Sequence, residues 1–238
     1  MATLRISHVR VMAALTLVWA ALIGLSVLQD VLFLSGNLGD KLYLLDVDHE
    51  VSFYTWMSST NLLFAALILA FVSIQLFAEK NPLRFHWLLL SLIFAGLSCD
   101  EFVQIHEKIS GAISAYFPTS GYLLFAWVIP AGIVGILGFL AYIPFIRSFT
   151  PRLQMQLVLS AVIFIGGAVF LEAITAHLVW DEALDQHISW TTISREYWSY
   201  RMVANLEEAM EGGGVLLFID AIWRYQKNLA STVALVLG

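Results

Sequence analysis

Long apolar runs, interrupted at a few positions by acids, divide this chain into six predicted helices. They cover about residues 11–32, 56–78, 85–109, 122–143, 155–179 and 198–223. A bilayer crossing needs roughly 20 apolar residues, and each run approaches or exceeds that length. The pattern predicts an all-α fold, one polytopic membrane domain across 1–238 with six transmembrane helices. No small-x-small site closes the first run, so it is expected to be a retained span rather than a cleaved signal. Between the runs, 35–40 reads as a turn. Asp46, Asp48, His49 and Glu50 read as a solvated acidic face, and 181–187 as a short helix with an acidic face. Pro130 with Gly132, Gly135 and Gly138 predicts a bend in helix four and close contact with a neighbour. Gly166-Gly167 and Gly212-Gly213-Gly214 predict close approach of helices five and six.

Composition strengthens the membrane reading. Hydrophobic residues make up 60% of the chain and charged residues 13%, outside the balance of a soluble domain. Arg5, Arg10, Lys80, Arg84, Arg147, Arg152, Arg224 and Lys227 fall on one side, against Lys41, Lys108, Arg195 and Arg201 on the other. The positive-inside rule then puts both termini in the cytoplasm, in what is expected to be a bacterial cytoplasmic membrane. Tyr54, Trp56, Tyr116, Tyr122, Trp180, Trp190 and Trp198 would form an outer aromatic belt. The net charge of −6 comes with no basic tract, which excludes a nucleic-acid partner. Cys99, the single cysteine, rules out an intrachain disulfide and is expected to be a small buried filler. No phosphate-binding glycine loop points to a nucleotide.

The acids carry the candidate chemistry. A carboxylate in hydrocarbon is costly unless paired, protonated or bound to a cation. By helix rise, Asp100 lies roughly 13 Å below the outer boundary, Glu172 about 10 Å and Glu207 about 13 Å. Helices three and five run outward and helix six inward, so three helices bring carboxylates to one layer. The expected metal ligands are Asp100, Glu107, Glu172, Glu207 and Glu211. Glu101, Glu208, His106 and His177 are the candidate catalytic groups, because a carboxylate or neutral imidazole can exchange a proton near neutral pH. Asn61, Gln104, Arg201 and Asn205 are supporting residues near the same layer. Arg201 and Lys108 are too few cations to balance the set, which favours a divalent metal: Fe or Mn before Zn, Mg or Ca.

The arrangement resembles the membrane-bound carboxylate-bridged di-iron oxidases in setting acids and histidines on packed helices. Their repeated Glu-x-x-His motif is absent here. Three residues after Glu101, Glu172, Glu207 and Glu208 stand Gln104, Thr175, Met210 and Glu211. The membrane zinc hydrolases of the ceramidase type have a further span and a histidine triad, whereas these histidines are scattered. The sequence thus predicts a metal-dependent membrane enzyme acting on a lipid or other apolar substrate. The alternatives are a proton or cation transporter, and a non-catalytic subunit of a larger membrane complex.

Overall fold

The computed structural model describes residues 7–182, 184–188 and 198–237, with side chains through residue 229. Its elements are α1 (His8–Leu34), α2 (Phe53–Ala78), α3 (Arg84–Val103), α4 (Ile105–Ser114), α5 (Val128–Arg147) and α6 (Pro151–Ile165). A π-helical segment (Gly166–Leu171) joins α6 to α7 (Glu172–Leu178). A small antiparallel pair, β1 (Trp180–Asp181) and β2 (Gln186–His187), precedes α8 (Trp198–Leu237). The chain is therefore nearly all-α. Among the described residues, α1, α2, α3, α5 and the continuous stretch Pro151–Leu178 are long and apolar enough to cross a membrane, giving five candidate spans. With 60% hydrophobic composition, they mark an integral membrane protein.

The centre of the bundle is α8, the long helix with the weakest apolar signal. It packs against α1, α2, α6, the π segment and α7. Val215, Phe218, Ile219 and Ile222 of α8 meet Leu69 and Val72 of α2, Trp87 of α3, Phe145 of α5 and Leu157 of α6 in the main core. A helix ringed by other helices faces protein rather than lipid, so Arg201, Glu207, Glu208 and Glu211 need no hydrocarbon neighbours. Glycines let the contacts close. A Cβ at Gly167 would stand 2.8 Å from the Glu207 carbonyl oxygen, and one at Gly214 2.8 Å from the Phe164 nitrogen. Close approach of the Pro151–Leu178 stretch to α8 was expected from these glycines, and it is present.

Other expectations need correction. The third helix does not run unbroken over 85–109. It stops at Val103, and Gln104 takes a left-handed conformation (φ 58°, ψ 49°) before α4 starts. The acid of α3 explains the break: Asp100 Oδ1 accepts from the His106 backbone nitrogen at 2.8 Å, capping α4. The fourth helix begins at Val128 instead of residue 122, which leaves Pro130 in the first turn. No intrahelical donor is lost there, so proline causes no bend. Nothing lies within 4 Å of a Cβ built at Gly132, Gly135 or Gly138, so the expected tight contact is absent along that stretch of α5, which joins the core nearer its C-terminal end at Phe145. Where a short helix was expected, Trp180–Asp181 pairs antiparallel with Gln186–His187, and Asp185 has φ 49°. Cys99 is exposed on α3 and fills no core. Arg5, Trp190 and Arg195, used for orientation and belt, lie outside the described residues.

Candidate functional site

The first polar layer is a clamp on Arg201. Its side chain is buried, and Nε donates to Asp30 at 3.1 Å while Nη1 donates to Asp48 at 2.7 Å. Nη2 donates to Asp46. Lys41 pairs with both Asp30 and Asp46. Asn205 donates to Asp30 at 2.7 Å, and the Tyr200 hydroxyl reaches Asp48 at 3.1 Å. Gln29 and Ser26 of α1 accept from the backbone nitrogens of Leu42 and Val47. The first loop is thereby pinned over α1 and α8. Asp46 and Asp48 are turned inward, so the expected solvated face is not what they form. Buried guanidinium would be costly alone, and the surrounding carboxylates offset that cost.

Three carboxylates, Asp30, Asp46 and Asp48, face two cations, Arg201 and Lys41. The surplus negative charge falls on Asp48. Burial, with the charge of Asp46 beside it, overcomes the pull of Arg201 and raises its carboxyl to about 6. Burial works in the same direction on Asp46, but Arg201 and Lys41 outweigh it and hold that carboxyl below the usual range.

The second layer is a carboxylate chamber that opens into one large cavity of about 1840 Å³. Glu50, Asp100, Glu101, His106, Glu107, Glu172, Glu207, Glu208 and Glu211 all line it. The helices bring them there by separate devices. Asp100 and His106 flank the break after α3. The π segment adds a residue to the turn before Glu172, and such bulges re-aim the side chains that follow them. Glu207, Glu208 and Glu211 lie within one turn of α8, beside the helix contact that Gly167 allows.

Neutral donors hold several of these acids. Trp127 Nε1 donates to Glu172 at 3.0 Å, and Thr175 Oγ1 donates to Glu207 at 3.2 Å. Glu172 and Glu207 also stand next to each other across the contact of α7 with α8. Ser58 contacts Glu101, and the Tyr54 hydroxyl donates to the Glu208 carbonyl. Gln104 contacts Glu50, whose carboxyl is raised by burial and by the adjoining charge of Glu107. Among the described residues no salt bridge joins Lys or Arg to Glu50, Glu101, Glu107, Glu172, Glu207, Glu208 or Glu211. Lys108 donates instead to the Val103 carbonyl at 2.7 Å, and Arg201 serves the clamp. The two cations named from sequence therefore do not neutralise the chamber.

One group has metal-ligand spacing. Glu50, His106 and Glu107 offer ligand atoms that all lie within 4.8 Å of one another. His106 Nδ1 lies 3.0 Å from Asp100 Oδ2, which orients the ring and leaves Nε2 as its second nitrogen. Metal-binding imidazoles usually give their other ring nitrogen to a carboxylate in this way, which fixes the ring and its tautomer.

Several sequence candidates lie elsewhere. His177 stacks on Tyr122 with centroids 4.1 Å apart, and its Nδ1 is 3.7 Å from Glu182. It does not line the cavity. Asn61 is buried in α2 and Asn205 belongs to the Arg201 clamp. Ser58, expected at the outer end of the second helix beside this layer, does reach Glu101, whereas Glu50, Trp127, Thr175 and Tyr54 were not foreseen as parts of the site. For Glu50 the signal was present as an acid in a polar loop, but its approach to His106 depends on the Arg201 clamp folding that loop inward.

No curated protein and no solved structure matches the chain. A family model described as Domain of unknown function (DUF8692) matches residues 9–224, a span that takes in both the Arg201 clamp and every residue of the chamber. The chain belongs to that family.

Proposed function

We propose that this protein is a metal-dependent membrane enzyme whose centre is the Glu50, His106 and Glu107 group. The observation that carries the reading is the convergence of two carboxylates and an Asp-oriented imidazole from separate elements. The charge balance agrees with it: a bound divalent cation keeps neighbouring carboxylates ionised where no lysine or arginine does. Two carboxylates and an imidazole suit Fe or Mn before Zn, and Mg or Ca less well. When bound, the metal supplies Lewis acidity that activates water or dioxygen. Asp100 fixes the His106 ring. Glu101 and Glu208, outside the three-ligand group yet on the same cavity, are the candidate bases. Asp100, Glu172, Glu207 and Glu211 extend the oxygen-rich set, while His177 is set aside by its position.

The topology proposed with this function has six spans and cytoplasmic termini, in a bacterial cytoplasmic membrane. The central position of α8 supports counting it as a span despite its acids. The chamber then opens toward the outer leaflet, and an apolar substrate reaches it from the bilayer. A proton or cation path is the second reading, favoured by the Glu172–Glu207 contact. Against a full conduit, the inner part of the bundle at α8 is the apolar core around Val215, Phe218 and Ile219.

The test is elemental analysis of protein grown with added metals and purified without a metal-binding tag or chelator. Near-stoichiometric Fe or Mn is expected, lost in Glu50→Gln and in His106→Ala and retained in Glu101→Gln. Folded protein without metal would refute the centre. Metal-free protein that carries protons into vesicles under an imposed gradient would favour the path.

A further inference from the structure

The cavity is much larger than the carboxylate layer that closes one part of it. Ordinary small-ligand sites enclose about 300–1,000 Å³, against about 1840 Å³ here. The excess is apolar and open-sided. Val134, Phe139 and Leu140 of α5 face Val162 and Ile165 of α6 and Phe170 of the π segment across it, and all six are exposed within the described structure. Gly132 and Gly135 belong to the same wall and have no atom within 4 Å of a built Cβ, so the wall recedes where a side chain would narrow it. The two faces that diverge are those of apolar spans, so the opening gives onto the hydrocarbon of the bilayer.

We propose that this cavity binds a single-chain amphiphile with a cationic head, a long-chain amine, its tail between α5 and α6 and its head at the carboxylate chamber. Charge complementarity selects the head. The chamber presents Glu101, Glu172, Glu207, Glu208 and Glu211 without a lysine or arginine partner among the described residues, whereas Arg201 and Lys41 are consumed by the clamp. An anionic head would meet like charge in a medium of low dielectric, and an ammonium meets the opposite. Trp127 and Thr175 donate to Glu172 and Glu207 and hold both carboxylates on the cavity wall. The width suits a flexible chain: one end wet and charged, the rest lined by aliphatic and aromatic side chains. The inference rests on the metal-centre reading in taking the chamber as the place where the substrate's polar end is held.

The experiment uses the full chain in phosphatidylcholine nanodiscs loaded with hexadecylamine, hexadecanol or hexadecanoate, then exchanged against empty discs. The retained probe and bound metal are measured on the same sample. Hexadecylamine should be retained about tenfold over hexadecanoate. Gly135→Trp, whose Cβ has no atom within 4 Å and whose ring would project into the cavity, should abolish that preference and leave the metal content unchanged. Gly138→Trp, on α5 but off the cavity, should change neither. Glu172→Gln should weaken the preference without blocking the tail. Equal retention of the three probes, or indifference to Gly135→Trp, would mean the groove is filled by bulk lipid or by another subunit, and would overturn the proposal. Metal bound with no amine preference defeats this inference alone, and amine preference in metal-free protein defeats the metal centre alone.

Discussion

Arg201 and Asp48 belong to one ion cluster, yet their removal should have opposite consequences. Arg201→Met leaves the buried Asp30, together with Asp46 and Asp48, facing Lys41 alone. Breaking a buried ion pair from one side typically costs about 3–5 kcal/mol, because the partner stays behind without compensation. For a chain of this size about 1 kcal/mol corresponds to roughly 2–4 °C, so a loss on the order of 10 °C is expected. Asp48→Asn, by contrast, removes the surplus negative charge and keeps an oxygen for Arg201. It should be neutral to stabilising at pH 7. The pH dependence gives the sharper distinction. The Asp48 carboxyl rises from the ordinary 3.8 to about 6 on folding, so between those values the folded state holds more protons than the unfolded one. Stability from this group is present at low pH and lost as pH rises through that window, by at most about 3 kcal/mol and less for a partly exposed carboxyl. Scanning fluorimetry of detergent-solubilised protein from pH 4 to 8 would follow it. The difference between wild type and Asp48→Asn should move against wild type as pH increases to about 6 and then level off. A parallel pair of curves, or an Asp48→Asn protein as damaged as Arg201→Met, would refute the charge count in the clamp.

Other consequences concern the contact of the π segment with α8 and the metal group. Gly167→Ala places a methyl 2.8 Å from a backbone oxygen of α8, so it should lower stability by about 1–3 kcal/mol, read as the midpoint of a detergent-denaturation curve. Gly138→Ala, in open space, should leave the same midpoint unchanged or slightly raised, since alanine favours helix. Asp100→Asn should weaken metal affinity about 10–100-fold without removing a ligand, measured by competition with a chromophoric chelator. Undiminished affinity would show that Asp100 only caps α4. With Cys99 replaced, cysteines at Glu172 and Glu207 should join through a short bifunctional reagent, while one at His177 with one at Glu207 should not.

The sequence conveyed the helical membrane fold and the shared height of the acids because both are one-dimensional properties. Apolar runs set the spans, and a constant rise per residue sets depth. What failed depended on who neighbours whom. Gln104 carries no glycine or proline signal, and its left-handed turn follows from Asp100 reaching forward to His106. The π segment is equally silent, since Gly166-Gly167 announces close approach and not an inserted residue. Arg201 illustrates the same limit for charge. Its stripe on α8 with Asn205 and Glu208 suggested service to the chamber, but the fold puts Asp30, Asp46 and Asp48 around the guanidinium first.

That allocation of charge is what makes the chamber chemically distinct. Had Arg201 and Lys41 reached Glu207 and Glu211, the layer would be an ordinary ionic network, and its acids would stabilise the bundle and do little else. Instead α1 supplies Asp30 and the first loop supplies Asp46 and Asp48, and these three occupy both cations. The same fixed loop carries Glu50 two residues beyond Asp48 to the edge of the chamber, beside His106 and Glu107. One structure thus removes the cations from the carboxylates and delivers a further carboxylate to them. Acids held by Trp127, Thr175, Ser58 and Gln104, with no lysine or arginine partner among the described residues, concentrate negative charge that a bound cation would offset. A break in α3 and a π segment before Glu172 place that charge on the wall of a cavity open to the bilayer. A stability role for the acids alone would require none of these departures from regular helix. Their coincidence at one layer is the physical argument for a site.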